Sequence, residues 1–440
     1  MAMSLRRYFV PKTLAPYLIA FLLAFIPAFI HIVQYSQFSP IDELRHLDYA
    51  LQITRGQVPK LGDKLGQDAM REESCRGIDF QWLDPPCDSV KFKPAAFRDN
   101  GWQTASPHPP TYYILSGISG RILRGLGILD GAVDGVRLMS ALLFGFGFAA
   151  TFAAGRQLGV RSLPLLSGLG LLITLPGALH SASIVTPDSF AMLAGGGALL
   201  AAILWRKNLL SGRWLIIIGG LVGLTKLTNL VMLLAVAAWL VTDALMQKRD
   251  EQGAPSRVKT PLLMFAAGAL TSGAWILLQS LRATISADIV PQTIAMKFDG
   301  LPPLKHLLNP DVLLTWFPPG RSFDSARFFN QYVSLMRSLV LPLLIGALIV
   351  SALRTQKGND IASLSLFAGL AGLFGAPAFI IGTLITSGVL ISAEGRYAVC
   401  LLPIYVIAIA SQSKGRVGDV LLGLLGGSAW IICTYAILVG

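Results

Sequence analysis

Charged residues are scarce in this chain. Asp, Glu, Lys and Arg make up 14% of its 440 residues and hydrophobic residues make up 53%, whereas soluble globular proteins are about 25% charged. This shortage excludes an ordinary soluble domain. The net charge of +12 would suggest nucleic acid in a soluble protein, but much of the basic excess falls in short connections between apolar runs. We therefore interpret it as a topology signal and expect no nucleic-acid partner.

Long apolar runs are what the sequence has instead. The first, from about Pro16 to Tyr35, has the length needed to cross a bilayer, and it follows Arg6, Arg7 and Lys12. Because basic ends stay in the cytoplasm, we expect a cytoplasmic N-terminus. No small-x-small cleavage site follows this run, so we expect it to remain in the mature protein.

Further apolar runs alternate in direction so that each short basic connection falls on the same side of the membrane. They lie at about 132–155, 163–179, 188–206, 214–224, the turn at 225–229 to 247, 261–281, 338–352, 361–385, 397–410 and 420–438. The sequence therefore predicts a single all-α polytopic membrane domain over residues 1–440, with about eleven transmembrane helices and an outer C-terminus.

One apolar stretch does not fit this count. Pro110 to Leu129 is interrupted by Arg121 and Arg124, and counting it as a span would invert everything after it. We expect it to form an outer-face or re-entrant helix. Two long hydrophilic loops, 36–110 and 282–337, then lie outside the cytoplasm. Loops of this length are usually functional, and we expect the first to be partly folded and catalytic.

Cysteine is also scarce, with four residues in the chain. Cys75 and Cys87 lie in the first outer loop, and Cys400 and Cys433 lie in apolar spans. Two nearby thiols outside the cytoplasm tend to oxidise, so we expect a disulfide between Cys75 and Cys87. A zinc site is the alternative, although no matching second pair lies nearby.

Two adjacent carboxylates, Asp42 and Glu43, follow the first span. Proton transfer or ion binding explains them better than stability does. Asp42 is a candidate general base, with a helix-capping role as the alternative. Glu43 points about 100° away on a helix and is a second catalytic candidate, a solvated carboxylate or a partner for Arg45. His46 shares a helical face with Asp42 and could share a divalent metal with it, although such a site normally needs more ligands.

Other polar residues should reach the same outer depth. They are His108, Asp188 at the start of the fourth span, Lys226 at a tight turn, Arg396 and Tyr397 at the start of the tenth span, and Arg321 and Arg327 in the second outer loop. Such a cluster suggests an anionic, partly apolar ligand, for example a lipid phosphate carrying a sugar. Asp188 equally suits a helix N-terminus, and Lys226 could simply extend to the interface. Arginine favours phosphate, and Glu394 suggests a salt bridge with Arg396.

The order of these motifs resembles that of the GT-C superfamily, integral-membrane glycosyltransferases that take sugars from polyprenyl-phosphate carriers. The resemblance rests on Asp-Glu after the first span, His-Pro-Pro-x-Tyr-Tyr at the end of the first loop, Pro-Asp before the fourth span, Thr-Lys between spans five and six, and a late Gly-Arg-Tyr. Within the superfamily the chain looks most like a bacterial membrane family with a first-loop Asp-Glu-x-x-His and a Gly-Arg-Tyr followed by a proline, here Gly395 to Pro403.

The resemblance implies an inverting transfer on the outer face of a bacterial inner membrane. Asp42 takes the place of the catalytic acid of the first loop, and Arg396, Lys226 and Arg327 would face the departing phosphate. The expected partners are a polyprenyl-phosphate sugar, a glycan, lipid or protein acceptor, and membrane lipids, without a cofactor. We expect no large C-terminal periplasmic domain of the kind that some relatives carry, which leaves the acceptor class open.

Three alternatives remain at this point. A lipid-linked sugar transporter or flippase would also collect charged residues, but near the bilayer midplane and usually at broken helices. A non-catalytic glycan-assembly subunit could bind the carrier lipid through a degenerate site. A polymer ligase would use a diphosphate-linked donor on the same face of the membrane.

Overall fold

The computed structural model describes residues 14–79, 84–127, 131–247, 255–285, 295–296, 304–317, 331–354, 359–387 and 390–439, and these are nearly all helical. The helices of the first half are α1 Ala15–Gln34, α2 Glu43–Ile53, α3 Gln67–Arg76, α4 Thr111–Gly125, α5 Ala132–Gln157, α6 Ser162–Ile173, α7 Pro176–Ser183, α8 Asp188–Arg206 and α9 Gly212–Gly223. Those of the second half are α10 Leu230–Gln247, α11 Pro255–Arg282, α12 Leu304–Leu307, α13 Pro310–Leu313, α14 Gln331–Leu353, α15 Asp360–Ser387, α16 Leu402–Gln412 and α17 Gly415–Val439.

Short elements complete the described chain. Two-residue strands, β1 (Ala295–Met296) and β2 (Leu390–Ile391), pair antiparallel. The 3₁₀ helices are Pro94–Ala96, Arg98–Gly101, Leu227–Asn229 and Gly395–Leu401. The last two lead directly into α10 and α16, so each forms the first turns of a span.

The protein is a multi-pass membrane protein. Eight helices are long and apolar enough to cross a bilayer, and nine segments qualify if the bent pair α6–α7 forms one span. The bend of 80° follows Thr174 and Leu175 and precedes Pro176, since proline cannot donate the hydrogen bond that would continue the helix. Two shorter apolar helices, α9 and the part of α14 from Ser338, coincide with the remaining expected spans.

Small residues allow the central helices to pack closely. Gly147 of α5 lies so close to α8 that an added Cβ would meet the backbone nitrogen of Leu193 at 2.6 Å. On the other side of this contact, a Cβ on Gly196 would lie 2.9 Å from the carbonyl oxygen of Gly147. These helices form the centre of the apolar core, together with α1, α7 and α16.

Ion pairs and hydrogen bonds join the helix termini at one end of the bundle, which we call the basic end. Arg206, at the end of α8, contacts Asp243 at 2.7 Å and Asp360 at 2.5 Å. Arg161 contacts Asp419 at 2.6 Å. In the same way Gln412 donates to Ser351 at 2.6 Å, which joins the ends of α16 and α14. These contacts are those expected if the helices alternate in direction as the sequence predicts.

The opposite end, which we call the site end, carries the first loop and α4. Thr111 donates to the carbonyl of Leu224 at 2.8 Å, and Arg121 donates to that of Thr54 at 2.8 Å. A Cβ on Gly120 would meet Ala132 and Val136, in the first turns of α5. Both ends of α4 therefore lie at the site end, and α4 does not cross the bundle. This agrees with the expectation that this stretch is not a span.

The first loop folds around an apolar core that it shares with α4 and α5. Phe38, Tyr49, Phe92, Phe97 and Tyr113 are buried in it. Cys75, at the end of α3, is joined to Cys87 by a disulfide, with the two Cα atoms 4.5 Å apart. This unit covers the site end and holds Asp42 in place.

Candidate active site

Asp42 lies at the turn between α1 and α2. Its backbone has φ 60°, a left-handed conformation, and its carbonyl accepts hydrogen bonds from the amides of Arg45 and His46 at 3.1 Å each. Aspartate is among the few residues that adopt this conformation readily, and residues held in sparsely populated conformations cluster at functional sites. The turn directs the Asp42 side chain to Arg396, whose Nη2 lies 2.8 Å from Oδ2.

The charge of Asp42 is strongly stabilised. Burial alone would raise the pKa of this carboxyl, but the guanidinium of Arg396, with that of Arg45 nearby, lowers the pKa well below its usual range. The side chain nevertheless remains 42% exposed, whereas that of Arg396 is 4% exposed. Asp42 is thus the part of this pair that an incoming molecule can reach.

Arg396 belongs to a chain of alternating charges that we call the four-charge cluster: Asp42, Arg396, Asp188 and Lys226. Arg396 Nε lies 3.4 Å from Asp188 Oδ2, and Lys226 Nζ pairs with Asp188 Oδ1. The side chains of Arg396, Asp188 and Lys226 are all at least 95% buried. Tyr397 lies next to both cations, its ring centre 4.3 Å from Lys226 Nζ and 5.6 Å from Arg396 Cζ.

Local sequence explains how each member reaches the cluster. Asp188 begins α8 directly after Pro187, and its carboxylate accepts a hydrogen bond from the hydroxyl of Thr186 at 3.1 Å. Lys226 occupies an extended position between α9 and the 3₁₀ helix that follows. Arg396 lies in the first turn of the 3₁₀ helix that leads into α16.

Glu43 has an environment quite unlike that of its neighbour. It is fully buried, and Arg137 of α5 donates to both of its carboxylate oxygens, at 2.7 and 2.8 Å. The amides of Ser39 and Val185 donate to the same carboxylate, at 2.8 and 2.9 Å. Glu43 is therefore not a solvated carboxylate, because it is fully buried. It is also not the partner of Arg45, because Arg45 pairs with Asp99.

The Glu43–Arg137 pair connects several segments of the site. Arg137 also donates to the carbonyls of Tyr35 and Gln37, each at 2.8 Å. The pair thus ties the end of α1 to α5 and to the segment before Asp188. We expect Glu43 to be a positioning residue: its buried hydrogen bonds fix the backbone segments that carry Asp42 and Asp188.

Two histidines line the same region. His46 Nδ1 forms a hydrogen bond of 2.8 Å with the hydroxyl of Tyr113, and the rings of His46 and His108 are 5.4 Å apart. Burial, followed by His108, lowers the pKa of His46, and burial, followed by Lys226, lowers the pKa of His108 to about 3. Both imidazoles are therefore neutral at physiological pH and add no charge to the site.

The structure brings most of the sequence-derived candidates together. Successive contacts join Asp42, Arg396, Asp188 and Lys226, Tyr397 lies beside the two cations, and His108 is near enough to interact with Lys226 and Asp188. Arg321 and Arg327 lie outside the described residues. Within the described residues, no three His, Cys, Asp or Glu side chains are grouped closely enough to hold a metal ion. Arg396 pairs there with Asp42 and Asp188 and not, as suggested above, with Glu394.

Sequence reasoning missed Arg137 and the pair formed by Ser39 and His180, whose Oγ and Nε2 lie 2.9 Å apart. Arg137 had a detectable signal, because it stands inside an apolar span, where a charged residue needs a partner. His180 also stands inside an apolar run. Nothing in the sequence identified Glu43 as the partner of Arg137, because ninety-four positions separate them.

No family model matches this sequence, and no curated protein matches it as a relative. Among solved structures, the chain is similar to ArnT from Cupriavidus metallidurans. Its apo structure has 17% sequence identity and a TM-score of 0.46, over 90% of this chain and 59% of that chain. Its structure bound to undecaprenyl phosphate has 14% identity and a TM-score of 0.49, over 95% and 64%. This chain therefore spans about three fifths of the ArnT length, and so weak a likeness identifies no site.

Proposed function

We propose that the protein is an inverting glycosyltransferase of the GT-C type, which moves a sugar from a polyprenyl-phosphate carrier to an acceptor hydroxyl. The observation that carries the proposal is the four-charge cluster, in which a reachable carboxylate, Asp42, lies directly against the buried cation Arg396, and a second buried cation, Lys226, is linked to Arg396 through Asp188. This arrangement supports the proposal, because transfer from a phosphate-linked donor requires a base close to cations that stabilise the departing phosphate.

The reaction assigns one role to each group. The acceptor oxygen attacks the anomeric carbon while the bond from that carbon to the phosphate oxygen breaks, and the carrier leaves as polyprenyl phosphate. Asp42 takes the proton of the acceptor hydroxyl. Arg396 and Lys226 stabilise the negative charge that grows on the departing phosphate. Asp188 holds the two cations in place, and His46 and His108 offer neutral donors and acceptors to sugar hydroxyls.

The charges of the described site favour a monophosphate-linked donor. The two cations and two carboxylates of the four-charge cluster balance, and the neutral histidines add nothing. A sugar phosphodiester would bring one negative charge into this buried site, whereas a diphosphate-linked donor would bring about two. Uncompensated charge is costly away from water. The balanced site therefore favours a monophosphate-linked donor over the diphosphate-linked donor that a polymer ligase would use.

A transfer assay tests the proposal. Purified protein in lipid nanodiscs is given a radiolabelled polyprenyl-phosphate sugar and an envelope extract as acceptor, and the release of polyprenyl phosphate is measured. Asp42→Asn, which keeps shape and suits a left-handed backbone, should slow release by roughly 10² to 10⁴. Asp88→Asn, which removes an exposed carboxylate of the first loop, is the matched control and should retain activity. Full activity of Asp42→Asn would refute the role of Asp42.

Transport is a second candidate, because α6 and α7 form a bent helix pair whose end contacts the site through His180. Broken helices are common at transporter binding sites. A flippase would move the labelled lipid between leaflets without releasing polyprenyl phosphate, so the same nanodisc assay and a liposome translocation assay separate the two functions.

We propose further that the site end faces away from the cytoplasm of a bacterium and that the membrane is the inner one. Basic residues in the short connections at the basic end support this orientation. The native cysteines are either paired or buried, so single cysteines can be added to the intact chain. Lys91→Cys, at the site end, should react with an impermeant thiol reagent in intact cells, and Ser211→Cys, at the basic end, should be protected. The reverse pattern would overturn this orientation.

A further inference from the structure

The two carboxylates that contact Arg396 differ in how firmly they are held. Asp188 is 2% exposed and is bound by Lys226 and by the hydroxyl of Thr186 as well. Asp42 is 42% exposed, and its ion-pair contact within the described chain is Arg396. Asp188 is therefore a fixed partner of Arg396, whereas Asp42 can leave.

Arg396 also has unused hydrogen-bonding capacity. Its Nη2 donates to Asp42, but its Nε is buried and donates no hydrogen bond within the described residues, although it lies 3.4 Å from Asp188. A guanidinium normally binds a phosphate through two parallel donors. A phosphate that approaches Arg396 from the exposed side would meet the Asp42 carboxylate first.

We propose that Asp42 occupies the phosphate position on Arg396 in the ligand-free protein, and that the carrier phosphate displaces Asp42 and so frees it to act as the base. This inference rests on the proposed function and adds an order to it: the donor binds first and the acceptor second. No covalent step is involved, since one anion replaces another on the same guanidinium.

The exchange solves a difficulty of the proposed mechanism. A carboxylate locked against a guanidinium is a weak base, because the cation stabilises its charged form. Once the phosphate neutralises Arg396, that stabilisation is reduced and the basicity of Asp42 rises. The base is thereby activated only when the donor is present, so an acceptor bound alone is not deprotonated.

A substitution that removes activity should here increase the affinity for phosphate. Removal of the competing carboxylate should strengthen phosphate binding, so Asp42→Asn should bind undecaprenyl phosphate roughly three- to tenfold more tightly than the wild type. Asp42→Gly, which also accepts a positive φ, should show the same gain. Asp88→Asn, at an exposed position of the first loop, should leave the affinity unchanged. Binding is measured by titration of purified protein in nanodiscs with undecaprenyl phosphate.

The outcomes separate this inference from the proposed function. If the wild type binds no undecaprenyl phosphate, the proposed function fails. If the wild type binds and both Asp42 variants bind equally or less tightly, the exchange on Arg396 is wrong while the proposed function stands. The order is tested by kinetics: a dead-end acceptor analogue should inhibit uncompetitively against the donor. Competitive or noncompetitive inhibition would contradict donor-first binding.

Discussion

The two ends of the helix bundle contain similar ion pairs in opposite environments. At the basic end, Arg206 bridges two aspartates, and all three side chains remain 18 to 26% exposed. At the site end, Arg137 and Glu43 are almost completely buried, and so are Lys226 and Asp188. The same chemical groups thus serve two purposes. Partly exposed pairs fasten helix termini and set topology, whereas buried pairs hold charge at a cost that a functional site explains better than stability does.

Burial also distinguishes Asp42 from its neighbour Glu43. Both are acids in one turn, but Glu43 lies beneath the turn and receives four hydrogen bonds from three segments. Asp42 lies above it and has a single ion-pair partner in the described chain, Arg396. Glu43, whose carboxylate is fully hydrogen-bonded, is suited to positioning its neighbours, whereas Asp42, which remains accessible, is suited to reaction.

The largest effect should come from breaking the buried pair. Arg137→Ala leaves the Glu43 charge unpaired, which typically costs about 3–5 kcal/mol. The corresponding change at the basic end, Arg206→Ala, should cost about 1 kcal/mol or less, because its partners are reached by water. Thermal unfolding is measured in detergent with a dye that reacts with the buried thiols of Cys400 and Cys433 as they become exposed.

Arg137→Lys provides the control, since it keeps the charge but loses the two-pronged contact and should be intermediate in stability. Equal losses of stability for Arg137→Ala and Arg206→Ala would mean that burial does not make the ion pair at the site end more important for folding than the one at the basic end.

A smaller effect is expected from Arg396→Lys, which keeps a cation in the four-charge cluster but removes the planar fork. A hydrogen bond to a charged group contributes about 1.5–3 kcal/mol, so the donor KM should rise roughly ten- to a hundredfold while the acceptor KM changes little. Steady-state transfer rates at varied donor and acceptor concentrations measure both values. An unaltered donor KM would mean that a different cation holds the phosphate.

The fold was largely predictable from the sequence because its signals are local. Apolar runs, basic connections and the two arginines inside the α4 stretch were sufficient to predict an all-helical, multi-span protein and to exclude α4 as a span. The count of about eleven was less secure. α9 is only twelve residues long and the third expected span is bent by 80°, because Pro176 interrupts it.

The candidate site was predictable only in part. Asp42, Asp188, Lys226 and Arg396 could be placed at one depth because each lies at the end of a span. Their pairing could not be predicted, since Asp42 and Arg396 are 354 positions apart and only the packed bundle determines which cation each acid meets. The role of Glu43 depends on Arg137 in the same way, so its burial could not be distinguished from solvation.

The most gradual effect, which develops only as the pH changes, concerns a buried acid of the first loop, Glu73 of α3. Burial, together with the nearby carboxylate of Asp84, raises the pKa of Glu73 to about 8 from 4.5. Glu73 therefore binds more protons in the folded protein than in the unfolded chain between about pH 4.5 and pH 8, and its contribution to stability falls as the pH rises through this range. Glu73→Gln removes the titrating group, so its melting temperature should exceed that of the wild type by an amount that grows from pH 5 to pH 8. Asp88→Asn, at an exposed position in the same loop, should show no such pH-dependent gain. If the melting temperatures of Glu73→Gln and the wild type differ by an amount that is constant with pH, Glu73 is not protonated in the folded protein. The buried charges that distinguish the site end from the basic end would then be the four-charge cluster and the Glu43–Arg137 pair.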